Sequence, residues 1–250
     1  MLVPHLALPP LNVAGVAITG MQIIVVATSY SREASDENTP YSKFAADAVQ
    51  PSAVSSRTGM LFIYSPAAVV ATVMATTTRP SLAATLLAVH FIKRVAEVLF
   101  VHRYSGEMPF AVGAGIGFYY AVCAGGISAV STQQTSCAVA AVALFALGSL
   151  GNAWHHLLLA RLRSTSSEGA KEYKPPTGGL FEYVSTPHYM FELIAWFGIA
   201  LASEHLNALL VAFSMSSYLS GRSVATSKWN RKRFGKAWPA TRGNMIPFLF

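Results

Sequence analysis

From Leu11 to Tyr30 the chain runs without a single charged side chain, and it does so again at 58–77, 110–131 and 137–160. A helix needs about 20 apolar residues to cross a hydrocarbon core about 30 Å thick. Uncharged runs of that length have few other destinations, and the composition agrees: 53% of residues are hydrophobic and only 12% charged, too apolar for an ordinary soluble domain. Three further segments, 81–102, 188–203 and 205–221, share the length or the apolar character with fewer uninterrupted residues. The expectation is an all-α polytopic membrane protein with seven transmembrane helices, at 11–30, 58–77, 81–102, 110–131, 137–160, 188–203 and 205–221.

Basic residues concentrate on the cytoplasmic side of short loops, so the count can be tested against charge. With seven spans, segments 31–57, 103–109, 161–187 and 222–250 share one side and hold 15 of the 18 lysines and arginines. Arg79 alone lies opposite, while Lys93 and Arg94 fall within the third span. The C-terminus is therefore expected in the cytosol, and membrane lipids are the default partner of the basic tail. The net charge of +7 needs no nucleic acid to explain it, for no DNA- or RNA-binding motif is present. Met1–Asn12 carries no positive stretch and no small-residue cleavage site precedes Arg32, so the first span is expected to be retained. Cys123 and Cys137 have no CxxC or histidine spacing around them and read as small apolar fillers.

The third span contains His90, Lys93, Arg94 and Glu97, where charge costs several kcal/mol. His90 and Arg94 are four apart, as are Lys93 and Glu97, so the pairs can support one another on an inward face, as buried ion pairs or as the lining of a polar cavity for an anionic ligand. In GNAWHHLLLARLR, Asn152, His156 and Arg163 recur at intervals of four and seven, stacking an amide, an imidazole and a guanidinium on one face. His155 and His156 diverge by about 100° and cannot share a metal as the histidines of HExxH do, so no metal is expected. The segment EYKPPTGGLFEYVSTPHYMFELIAW follows. Pro175-Pro176 sets an extended entry, Gly178-Gly179 permits a tight turn, and Pro187 opens a helix that carries His188 and Glu192 on one face beside Tyr189. The run GAGIG at Gly113–Gly117 lies inside a span with no preceding strand, so it suits helix packing rather than dinucleotide binding.

These residues carry a resemblance. GNAWHHLLLARLR, then EYKPPTGGLFEYVSTPHYMFELIAWFGIAL, then GRSVAT and RFGKAWPATRGNMIPFLF, in that order, resemble the C-terminal region of the steroid 5α-reductase family, which also includes polyprenol reductases and trans-2-enoyl-CoA reductases. A weaker likeness extends to HFIKRVAEVLFVHRYSGEMP and SSRTGMLFIYSP, and the whole is most similar to plant members. The resemblance implies a seven-helix fold without a Rossmann domain, with residues 1–110 contributing to a substrate pocket and 111–250 binding NADPH. It implies NADPH contacts at Arg94, Asn152, His156, Arg163, Tyr173, Lys174, His188, Glu192 and Arg222. It also implies hydride transfer to the β-carbon of an α,β-unsaturated carbonyl compound. The carbonyl oxygen then gains charge and needs a donor; Tyr189 and Tyr64 are the candidates, and Glu192 is counted with them at the catalytic centre.

The chain departs from the family's steroid pattern at four positions: Tyr64 replaces a glutamate, Phe91 a tyrosine, His156 an aspartate and Asn230 a tyrosine. The leading expectation is an NADPH-dependent reductase of the endoplasmic reticulum membrane acting on a 3-oxo-Δ4 steroid-like lipid taken from the bilayer. A trans-2-enoyl-CoA reductase of very-long-chain fatty-acid elongation, working with subunits of an elongation complex, is the alternative. An isoprenylcysteine-type membrane methyltransferase shares a His/Pro/Tyr element before a span, and a non-catalytic packing role for the buried charges would predict no nucleotide binding.

Overall fold

The computed structural model describes residues 6–35, 38–44, 52–78, 80–164 and 174–250, the side chains of 78, 163 and 164 excepted. Among them run seven α-helices: α1 (Val13–Ala34), α2 (Ser56–Val73), α3 (Leu82–Ala96), α4 (Phe110–Val130), α5 (Ala138–Ser164), α6 (Pro187–Ser203) and α7 (Leu206–Phe234). Each coincides with an expected span. Four are long and apolar enough to cross a membrane: α1, α2 with its continuation to Thr77, α4, and α5 as far as Leu162. The other three differ for visible reasons. Helix α3 carries charge, α6 is only 17 residues long, and α7 continues as a single 29-residue helix into the basic run Arg231–Arg233.

Helix starts follow their caps. The side chains of Asn12, Ser55 and Ser81 accept the backbone N–H groups of Gly15, Thr58 and Ala84 at 2.8, 3.1 and 3.2 Å, satisfying donors that the first turn leaves orphaned. Pro187 opens α6 at its first turn, as its missing N–H allows. Two short strands, β1 (Ala53–Ser55) and β2 (Glu107–Pro109), pair antiparallel with Val54 opposite Met108 and tie the entrances of α2 and α4 together.

Helix α5 packs along α6, α1 along α7, and α2 against both α3 and α4. The α5–α6 seam depends on missing side chains. A Cβ on Gly148 would lie 2.3 Å from the Ala195 nitrogen and 2.6 Å from the Phe191 oxygen, and one on Gly198 would lie 2.7 Å from the Phe145 nitrogen. Small residues let backbones approach where no water is available to drive helices together. Large apolar side chains such as Val16, Ile18, Ile23 and Ile24 of α1 point outward, as a lipid-facing surface requires.

At the end away from the basic tail, Glu204 ends α6 in a left-handed conformation (φ 50°). Its carboxylate accepts from the Ser136 backbone at 3.0 Å, the Ser136 hydroxyl and the Thr132 hydroxyl at 3.4 Å, clamping the α4–α5 loop to the α6–α7 turn. Burial works against its charge, but donors from Ser136, Thr135 and Thr132 outweigh burial and hold the carboxyl below its ordinary value.

Two outcomes follow. Gly148→Val costs about 3 kcal/mol through overpacking, read as a lowered Tm in detergent, whereas Gly20→Val, with nothing within 4 Å of its Cβ, leaves Tm unchanged. Because the Glu204 carboxyl is depressed in the fold, its stabilisation is complete above the ordinary glutamate value and is lost as pH falls through the lower folded value. The difference in Tm between the parent and Glu204→Gln therefore shrinks on acidification below about pH 4.

Candidate functional site

The last turn of α3 brings charge into an otherwise apolar core. Helical spacing sets Lys93 and Arg94 four and three residues before Glu97, and both pair with it: Lys93 Nζ lies 2.7 Å from Oε1 and Arg94 Nη1 2.8 Å from Oε2. His156 Nδ1 reaches the same Oε2 at 3.1 Å. Arg94 also donates through Nη2 to the Tyr64 hydroxyl at 2.5 Å, with its guanidinium 4.6 Å from that ring's centre. Lys93 donates to Asn152 Oδ1 at 2.6 Å, and Asn152 Nδ2 donates to the His188 carbonyl at 2.9 Å. One network thus joins α2, α3, α5 and α6.

His90 stays outside it. Its ring packs against Phe91 and Trp196 at 5.0 and 5.3 Å, in place of the Arg94 pairing that the spacing suggests. Glu97, His102 and His156 do bring potential ligand atoms within 4.8 Å of one another. Two cations already press on that carboxylate, so a third would meet repulsion from both.

The loop ahead of α6 is built by the chain's end. The Gly243 N–H donates to the Tyr183 carbonyl at 2.8 Å, and the N–H groups of Ser185 and Thr186 donate to the Gly243 and Asn244 carbonyls at 2.9 and 3.0 Å. Arg242 adds a bond to the Pro176 carbonyl at 2.9 Å. Gly178 and Gly179 adopt φ of 85° and 54°, a region that favours glycine. A Cβ on Gly179 would also stand 3.0 Å from His155 Nε2. That nitrogen accepts the Leu180 N–H at 3.2 Å while Nδ1 faces the Gly151 carbonyl at 2.7 Å. His155 therefore shapes the turn, a role that its sequence position did not announce.

Glu192 lies one turn inside α6, 7% exposed. Among the described residues it makes no hydrogen bond or ion pair, although its charge acts on Lys93, Arg94, Tyr64, Tyr120 and Tyr189. His188 Nδ1 and Asn230 Nδ2 are likewise buried without partners. Beside this group a cavity of about 220 Å³ opens between α1, α2, α4 and α7. Tyr64 and Tyr120 line it together with Tyr119, Tyr41 and Tyr218, and apolar wall comes from Ile63, Ile116 and Met215. Tyr64 belongs to both the cavity and the charge network.

Arg222 occupies a second box. It is 3.2 Å from Glu33 Oε2, donates to the Thr39 and Tyr41 carbonyls at 2.7 and 3.0 Å, and sits 4.1 Å from the Tyr41 ring centre. Tyr41 and Tyr218 share a hydroxyl hydrogen bond of 2.8 Å, and Tyr189 interacts with Arg222. Of the sequence-derived candidates, the structure gathers Tyr64, Arg94, Asn152, His156, His188 and Glu192. It sets Tyr189 between the two boxes and holds Arg222 in its own. Lys174 is half-buried at the start of the segment leading to Gly178. Tyr173 and the Arg163 side chain lie outside the described residues.

Comparison with known proteins decides the family. The model of the 3-oxo-5-alpha-steroid 4-dehydrogenase family matches residues 106–250. The chain belongs to that family. A very-long-chain enoyl-CoA reductase of Dictyostelium discoideum is 32% identical over 64% of this chain and 55% of its own length. A steroid 5-alpha-reductase of Solanum lycopersicum is 36% identical over 43% of this chain and 40% of its own. The human 3-oxo-5-alpha-steroid 4-dehydrogenase 1 is 38% identical over the same shares. The chain thus spans about half the length, or less, of these relatives. Their names denote oxidoreductases acting on CH–CH groups, and proteins of this type generally use a nicotinamide cofactor.

The residues present fit such a group. Its amide can meet an unpartnered carboxylate at Glu192 and a buried, unpartnered ring nitrogen at His188, and its phosphates are suited to guanidinium and ammonium groups. Removing Glu97 tests the network itself. Glu97→Leu leaves Lys93 and Arg94 buried without their anion and costs about 3–5 kcal/mol, seen as a Tm decrease larger than that of Glu182→Leu, whose exposed carboxylate accepts the Gly178 N–H at 2.6 Å and meets Arg242 at 3.8 Å.

Proposed function

We propose that this protein reduces the carbon–carbon double bond of an α,β-unsaturated carbonyl lipid with NADPH, a 3-oxo-Δ4 steroid-like lipid being the preferred substrate. The observation that carries this reading is Tyr64. Its hydroxyl oxygen already accepts Arg94 at 2.5 Å while the residue lines the phenol-rich cavity, so its own O–H is left to donate into that cavity.

Hydride addition at the β-carbon pushes charge onto the carbonyl oxygen, and a donor aimed at that oxygen lowers the barrier. Tyr64 supplies the donor. The adjacent guanidinium stabilises the charge that the phenol oxygen gains as it yields its proton; the enol so formed then takes a water-derived proton at its α-carbon and returns its O–H proton to Tyr64, completing the addition of one hydride and one proton. NADPH, when bound, supplies the hydride. Glu192, Asn152 and His188 would hold its amide end; His156, Arg94, Arg163, Tyr173, Lys174 and Arg222 complete the binding set. Tyr189, between the two boxes, is the second candidate donor.

Residues 1–110 contribute Tyr64 and Tyr41 to the substrate pocket and Arg94 to the cofactor cradle, and 111–250 contribute the rest of the cradle and the remaining phenols. The seven helices are placed across the endoplasmic reticulum membrane with the C-terminus in the cytosol. The 15 of 18 basic residues on that side support this placement, and the substrate enters from the bilayer. A trans-2-enoyl-CoA substrate, with partner subunits of an elongation complex, is the second reading. The Dictyostelium enoyl-CoA reductase favours it, because that likeness extends along 64% of the chain.

Titration of detergent-solubilised protein with NADPH and with S-adenosylmethionine, followed by intrinsic fluorescence, is expected to respond to NADPH alone. Glu192→Gln loses a charge-assisted bond of about 1.5–3 kcal/mol and weakens NADPH binding about 10- to 100-fold. Tyr64→Phe keeps NADPH affinity and lowers kcat about 100- to 1000-fold, measured as a two-hydrogen mass gain on a 3-oxo-Δ4 steroid and on a trans-2-enoyl-CoA. The thioester as the faster substrate would reverse the substrate preference, and unchanged turnover in both variants would remove the site assignment.

A further inference from the structure

At the basic end of the bundle, on its outer side, a groove of about 440 Å³ lies between the start of α2, the segment after α3 and the end of α5. Arg57, Arg103 and Arg161 line it. Their positions in the chain fix their depth. Arg57 immediately precedes the uncharged run 58–77, and Arg161 immediately follows the uncharged run 137–160. Arg103 follows two residues after Val101, where the continuation of α3 ends. Apolar runs end where hydrocarbon gives way to headgroups, so the three guanidinium groups share the headgroup level.

Below them the lining turns apolar. Leu99, Phe100 and Leu157 belong to the groove and are exposed, Phe100 by 84%. Arg57 is steered across this edge by a bond to the Leu99 carbonyl at 3.0 Å. A cationic rim above an open apolar floor has the profile of a site for a charged head with a hydrocarbon tail. Guanidinium groups match phosphate oxygens in paired hydrogen bonds, and basic pockets between membrane helices suit anionic headgroups.

We propose that this groove binds the phosphate ester of an anionic membrane lipid. The site is separate from the reduction centre: on α5, Asn152 and His156 are buried inward while Leu157 and Arg161 are exposed outward. It does not rest on the reading given above. The two regions still touch, because His102 lines the groove and its ring lies 4.7 Å from that of His156. A headgroup held here sits one ring away from Glu97.

The test uses the full chain in neutral detergent micelles, with fluorescent phosphatidic acid as one probe and adenosine 3′,5′-bisphosphate as a soluble phosphate source. Each lost arginine is expected to weaken phosphatidic acid binding about fivefold, so Arg103→Gln with Arg161→Gln weakens it about 25-fold. Lys232→Gln with Arg233→Gln removes the same charge from exposed tail positions and is expected to change it less than twofold. Equal weakening by both pairs overturns the groove in favour of diffuse surface charge. Groove-dependent binding of the bisphosphate alone overturns the lipid assignment, and binding unaffected by the groove pair overturns the site. Because the readout is lipid affinity, with NADPH titration run on the same variants, failure here and failure of the reductase reading are told apart.

Discussion

A carboxylate buried among helices is stabilised where cations and donors surround it, and Glu97 stands in that position among α2, α3, α5 and α6. Lys93 and Arg94 come from its own helix, so much of its neutralisation is local and requires little from the tertiary fold. What the fold adds is use of the donors left over. Lys93 spends one on Asn152 and Arg94 one on Tyr64, so a pair that could have been merely tolerated aligns α2 and α5 against α3. Breaking such a pair costs far more than never having had it. The arrangement is therefore stiff, and it holds the Tyr64 phenol and the Asn152 amide in fixed positions.

The Glu33–Arg222 box repeats the device between α1 and α7. Here the partners come from opposite ends of the chain, and the box also fastens residues 39–41 beside the cavity through their carbonyls. Two rigid ionic boxes thus bracket a phenol-lined cavity whose other walls are isoleucine and methionine. Fixed polar positions with an adaptable apolar remainder suit a ligand with one reactive oxygen and a variable hydrocarbon body.

How far the sequence disclosed this depended on the range of each interaction. Lys93–Glu97 and Arg94–Glu97 were legible because helical spacing alone brings them together, and Asn152 with His156 because they share one face of α5. The placement of Pro187 at the start of α6 was legible from proline's missing donor. Glu33 with Arg222 was not, since 189 residues separate them and no local pattern marks either as the other's partner. His102 was equally hidden, lying past the end of α3 and meeting His156 only through packing. The length of α7 escaped as well: apolar content ends near Gly221, but helix-forming residues continue to Phe234. Hydropathy reports where a membrane ends and not where a helix does.

Three of the buried carboxylates, Glu33 of α1, Glu97 just after α3 and Glu192 of α6, complete the argument by their difference. Glu33 and Glu97 each have a cation within 3.2 Å, whereas Glu192, buried to a similar degree, has no hydrogen-bond partner among the described residues. Arg94 and Lys93 are near enough to feel its charge while being committed to Glu97. Of the three, Glu192 is the one whose acceptor capacity no described residue takes up, which separates it from the two carboxylates that tie helices together. The unpartnered His188 nitrogen stands apart in the same way.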